Sequence, residues 1–141
     1  MGFLSRLFAS NPKPGRPQPI VEADFEIEVL QSPIPVIVDF WSPTCGPCQV
    51  MGGLLNEIGP EFAERLRIVK MNVTEAGGLA AQYGVRGVPT LIAFHDGQPV
   101  DRLVGVLPID QLKHRFEQIA ALRSSDGGSS RWSSPSRTDQ V

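Results

Sequence analysis

A chain of 141 residues, 41% hydrophobic and 20% charged, has the makings of one globular domain with some residues to spare. Its net charge of −2 supplies no basic stripe to neutralise phosphates, which argues against nucleic acid as a partner. Two cysteines are too few for a small secreted disulfide scaffold. With His95 and His114 far along the chain and not at finger spacing, they do not make a structural zinc site either.

The chain starts with a short apolar run, MGFLSRLFA, broken by Arg6. It is too short for a secretory signal, and Asn11-Pro12-Lys13-Pro14 follows instead of a small-residue cleavage site. Arg6 stands where the myristoylation pattern needs Ser or Thr. No stretch approaches the roughly 20 apolar residues of a membrane span, so no stable membrane insertion is expected. The expected compartment is the cytoplasm, where a C-x-x-C pair points to catalysis more than to structure. Pro12, Pro14, Pro17 and Pro19 mark residues 1–19 as a flexible leader.

Residues 20–122 alternate apolar runs with helical patterns. Ala23–Leu30 reads as a helix, Val36–Trp41 as a strand buried on both faces, and Cys48–Leu66 as a long helix weakened at Gly52, Gly53 and Pro60. Arg67–Val73 reads as a second buried strand. Ala76–Tyr83 reads as a short helix stopped by Gly84. Thr90–His95 and Val100–Val104 flank Asp96-Gly97, a hairpin signal, and Pro108–Leu122 is an amphipathic last helix. This order predicts an α/β fold with a central mixed sheet flanked by helices on both faces. Residues 123–141, rich in Ser and Gly, read as a disordered tail.

The chemistry concentrates in Trp41-Ser42-Pro43-Thr44-Cys45-Gly46-Pro47-Cys48, where a strand passes into a helix. Residues three apart at a helix start lie about 5 Å apart on one face, within disulfide reach. Pro47 suits a first helical turn, whose N–H groups have no partner within the helix. The positive end of the helix dipole favours a thiolate there, so Cys45 is the expected nucleophile and Cys48 the more buried, resolving thiol. Asp39 interrupts the apolar strand VIVDFW, and burial should raise its pKa. Two roles compete for it: proton acceptor beside Cys48, or structural partner of Lys70, itself an outlier in IVKMNV. Pro89, in Val88-Pro89-Thr90, reads from composition as an ordinary strand-opening proline.

With CGPC after VDFW and GVPT downstream, residues 20–121 resemble the thioredoxin family. The resemblance rests also on Phe25, Lys70, Tyr83-Gly84, Arg86-Gly87, Gly97 and Gly105. It implies the thioredoxin fold and an active-site loop of Trp41, Thr44, Gly46 and Pro47 around the two cysteines. It implies a cis Pro89 facing them, and a substrate-binding surface of Gly87, Val88, Pro89, Thr90 and Gly105 that takes an extended segment by strand addition. It implies that Asp39 is the buried carboxylate and Lys70 its neighbour. It implies a monomeric protein-disulfide reductase with no bound cofactor and no metal. The redox-active Cys45–Cys48 disulfide would be recharged by a thioredoxin reductase, linked to NADPH or ferredoxin, and discharged on disulfide-containing protein substrates. Three residues depart from the family pattern: Thr44 replaces a Trp, Gln49 replaces a Lys or Arg, and Gly53 replaces a helix proline. A less stabilised Cys45 thiolate and a less stable second helix are expected from them. The alternative is a thioredoxin-like binding module or holdase in which the redox pair is incidental.

Overall fold

The computed structural model describes residues 14–122. The expectations of a leader and a tail fall largely on residues 1–13 and 123–141, outside the described residues.

The described residues build a five-stranded mixed sheet in the order β1-β3-β2-β4-β5. The strands are β1 Gln18–Pro19, β2 Val36–Trp41, β3 Arg67–Asn72, β4 Thr90–His95 and β5 Gln98–Val104. β3 runs parallel to β1 and β2, whereas β4 runs antiparallel to both β2 and β5. β1 is the two-residue edge strand that its prolines allow, and it places the end of the Pro-rich stretch within the sheet. The hairpin between β4 and β5 turns at Asp96 and Gly97, both with positive φ.

Strand side chains alternate between the two faces, and the two cores follow that alternation. Ile37, Ile68, Leu91 and Ala93 meet helices α1 Gly46–Ile58 and α3 Ile109–Ala120 on one face. Val36, Val38, Phe40, Val69, Met71, Ile92 and Phe94 meet the 22–30 segment and helix α2 Gly77–Gln82 on the other. There Tyr83 packs edge-on against Phe94 at 5.2 Å between ring centres, and Phe25 packs against both.

The helices differ from the sequence expectation mainly in three segments. The helix expected over Cys48–Leu66 starts two residues earlier and ends at Ile58. It starts earlier because Cys45 caps it. It ends there because Pro60 has no N–H for another turn, so the chain tightens into a 3-10 turn, Gly59–Phe62. Its buried stripe is Cys48, Met51, Leu55 and Ile58, at helical spacing. The Ala23–Leu30 helix is instead a 3-10 turn, Glu22–Asp24, followed by a wide turn, Glu26–Leu30. The wide turn closes with the Gln31 N–H donating to the Glu26 carbonyl ahead of Pro33 and Pro35, which bar further turns. Pro108 precedes α3 as its cap instead of opening its first turn. Gly84 ends α2 with φ +73°, as a helix stop requires.

Gly15 and Gly59 bring two backbones into contact: a Cβ on Gly59 would lie 2.1 Å from the Gly15 carbonyl oxygen. Only glycine permits that approach.

Candidate active site

β2 delivers the chain to the site. After Trp41, Ser42 turns inward, and its carbonyl accepts the Cys45 N–H at 3.2 Å. The Ser42 hydroxyl lies 3.3 Å from that of Thr44 and accepts the Thr44 N–H at 3.4 Å. Ser42 is buried, and this clasp shapes the loop in front of Cys45. The sequence reading passed over Ser42; the available signal was a small polar residue between Trp41 and Pro43 that can bond to the backbone two residues on.

Cys45 has extended dihedrals and occupies the cap position of α1, where its sulfur accepts the Cys48 N–H at 3.1 Å. A side-chain acceptor at that position satisfies one of the helix's free N–H groups, and the helix dipole favours negative charge on it. Cys45 is half-buried and Cys48 is buried, so an incoming sulfur reaches Cys45 first. The two are joined as a disulfide with α-carbons 5.2 Å apart, within the usual range. Gly46 and Pro47, both exposed, form the first turn between them.

Opposite the disulfide is the loop before β4. The Val88–Pro89 peptide bond is cis. Here the composition-only reading of an ordinary proline gives way to the one the resemblance implied. The Val88 carbonyl oxygen lies 3.7 Å from the Cys45 sulfur, where a Cys45 thiol could donate to it. Thr90 donates its hydroxyl to the Gly87 carbonyl at 2.6 Å, and the Gly105 N–H donates to the Pro89 carbonyl at 2.8 Å. These bonds tie Gly87, Val88, Pro89, Thr90 and Gly105 together beside Cys45; Gly87 is exposed, Val88 and Gly105 are half-buried, and Pro89 and Thr90 are buried. Val104 and Val106 flank Gly105 and are exposed, as is Val50 on α1.

Asp39 and Lys70 are paired in the β2–β3 register and project to the face that α1 covers. Asp39 is buried, and its Oδ1 has no hydrogen-bond partner among the described residues. Burial raises its pKa from 3.8 to about 7, against the opposing pull of the Lys70 ammonium. Lys70 lies with its Nζ 5.3 Å over the Trp41 ring. Thr44 and Gln49 are both exposed beside the cysteines. No cluster that could hold a metal ion occurs among the described residues. No helix among them is long and apolar enough to cross a membrane.

A disulfide at a helix cap, with one sulfur accessible and the other buried, is the apparatus of dithiol–disulfide exchange. Comparison with known proteins agrees. The thioredoxin family model matches residues 17–118. The chain is 48% identical over 99 residues to thioredoxin from Haemophilus influenzae and 42% identical over 99 residues to thioredoxin 1 from Synechococcus elongatus. Each match covers 70% of this chain and 92% of the relative. The M-type chloroplastic thioredoxin of Chlamydomonas reinhardtii is 39% identical over 84 residues, 60% of each chain. The chain belongs to the thioredoxin family, and it is a protein-disulfide reductase working through Cys45 and Cys48.

Proposed function

We propose that the Cys45 thiolate attacks a sulfur of a substrate disulfide, forming a mixed disulfide and releasing one substrate thiolate, which takes up a proton. Cys48 then gives its proton to Asp39 and attacks the Cys45 sulfur. The second substrate thiolate leaves, and the Cys45–Cys48 disulfide closes. Two electrons have passed to the substrate. The Cys48 N–H donating to the Cys45 sulfur at 3.1 Å supports Cys45 as the thiolate, and a buried carboxylate with a pKa of about 7 is poised to take a proton near neutral pH.

The exposed Val104, Val106 and Gly87, with Val88 and Gly105, receive an extended stretch of the substrate, and the buried Pro89 and Thr90 shape that surface from beneath. Trp41, Thr44, Gly46 and Pro47 border it, and Thr44 offers a smaller, more polar neighbour than an indole. A thioredoxin reductase recharges the disulfide, so the protein carries electrons between that partner and disulfide-containing proteins. It works as a monomer in the cytoplasm and maintains redox balance there. The working domain is 20–122 together with the segment from Gly15 through the edge strand at Gln18–Pro19, the residues before it being leader and 123–141 tail.

The observation that carries this reading is the capped, accessible Cys45 sulfur. It is tested by NADPH-driven reduction of a protein disulfide with added thioredoxin reductase, comparing wild type with Cys45→Ser. Turnover is expected in the wild type and background only in the variant. Turnover that survives in the variant defeats the assignment. Wild type that works with dithiothreitol but not with the reductase identifies the wrong electron donor.

A further inference from the structure

Lys70 is placed where it should pair with Asp39, and it does not. The two are register partners on adjacent parallel strands and share the face under α1. Among the described residues the lysine and arginine ion pairs join Arg65 to Glu117, Arg67 to Glu28, Lys113 to Glu61 and Arg115 to Asp101; Asp39 and Lys70 are not among them. The Lys70 ammonium instead lies 5.3 Å over the Trp41 ring. Trp41 is two residues beyond Asp39 on the same strand face, diagonal to Lys70 and within its reach. An indole face attracts a cation through its quadrupole, the more so where water is thinned by packing.

We propose that Trp41 is a positioning residue for Lys70: its indole face holds the ammonium off the Asp39 carboxylate and thereby sets how readily that carboxyl takes up and gives back a proton. Lys70 has two resting places, the ring while Asp39 is protonated and the carboxylate once Asp39 ionises. The preference for the ring keeps Asp39 protonated to higher pH than a closed ion pair would. This rests on the reading of Asp39 as the proton acceptor. From the elements packed around Asp39, β3 contributes Lys70 as the charge that acts on it. α1, which covers that face, buries Cys48, held in the disulfide and so not titrating, and β4 contributes the apolar Leu91, the register partner of Asp39.

The test is the pH titration of the Asp39 carboxyl carbon by NMR in the oxidised full-length protein. Wild type, Trp41→Phe and Trp41→Leu are compared, each with Lys70 present and with Lys70→Met. With Lys70 present, Trp41→Leu lowers the Asp39 midpoint by about half a pH unit, and Trp41→Phe lowers it less. With Lys70→Met both drops vanish. An unchanged or raised midpoint in Trp41→Leu overturns the proposal. So does an equal drop in the Lys70→Met background, which would mean that water had entered. Should Trp41→Leu not fold, the wild type decides by the Lys70 ε-proton shifts. They are displaced upfield by the ring below the Asp39 midpoint and relax toward ordinary values above it; undisplaced shifts at all pH overturn the proposal. Full turnover in Asp39→Asn would defeat the proton-acceptor reading alone, because the titration reports Lys70 placement directly.

Discussion

Asp39 and His95 both interrupt inner strands of the sheet with a polar side chain, 2% and 3% exposed, and both leave buried polar atoms without a hydrogen-bond partner among the described residues. They lie at opposite poles. β4 runs antiparallel to β2, so Thr90 lies beside Phe40 at the disulfide end, whereas Phe94, next to His95, lies beside Val36. Asp39 shares its pole with two sulfurs and Lys70. His95 has Asp96 at 3.8 Å and the hairpin turn. A buried, underpartnered polar group is expensive in either place. It indicates chemistry only where reacting atoms share its end of the fold.

The sharpest way to break that comparison is through pH. The folded-state pKa of Asp39 is raised to about 7 from 3.8, so the native protein binds more protons than the unfolded chain between those values. Stability from this group is therefore greatest below about pH 4, falls as pH rises toward 7, and stays at its lower value above. Asp39→Asn removes the penalty and should stabilise the protein by about 2–4 kcal/mol at pH 8 and by almost nothing at pH 4, read from urea unfolding. It should also slow disulfide turnover. A stability gain equal at both pH values would show that ionisation is not its origin.

His95→Leu should raise stability by about 1–2 kcal/mol, because two buried nitrogens no longer go without partners. Unlike the Asp39 variant it should leave turnover unchanged; a loss of activity would bring His95 into the working machinery and dissolve the contrast. The smallest effect belongs to α1, which carries the cysteines. Gly52 and Gly53 lie in its middle, and a Cβ on either meets nothing within 4 Å. Gly52→Ala and Gly53→Ala should each add about 0.5–1 kcal/mol, visible as a higher Tm, with turnover retained.

Much of this was readable from the residues alone. Alternation and apolar runs located β2 to β5, and strand-to-helix passage at CGPC located the site, because those signals are local. What escaped was set partly by residues a few positions on that override the apolar spacing, and partly by neighbours distant in sequence. The 22–30 segment carries helical spacing at Phe25 and Val29, yet the prolines beyond it forced a wide closing turn. The long helix stopped at Pro60 although Phe62 continued its apolar spacing. Composition favoured an ordinary Pro89, since isomer choice depends on what faces it. Ser42 shows its role only when its carbonyl is seen to meet Cys45. Lys70 read as one candidate partner for Asp39, and its place over the Trp41 ring shows only once the two strands lie side by side.

The contact between Gly15 and Gly59 has a bearing on how the molecule can be moored. Gly59 follows the last residue of α1, whose 13 residues carry the chain about 20 Å from Cys45. α3 leads away from the same end, and its Glu117 meets Arg65 beside that far terminus of α1. Both ends of the described body therefore leave from the pole opposite the disulfide. A bead, an electrode or a fused protein coupled through either end leaves Cys45 pointing outward, free to meet its substrates.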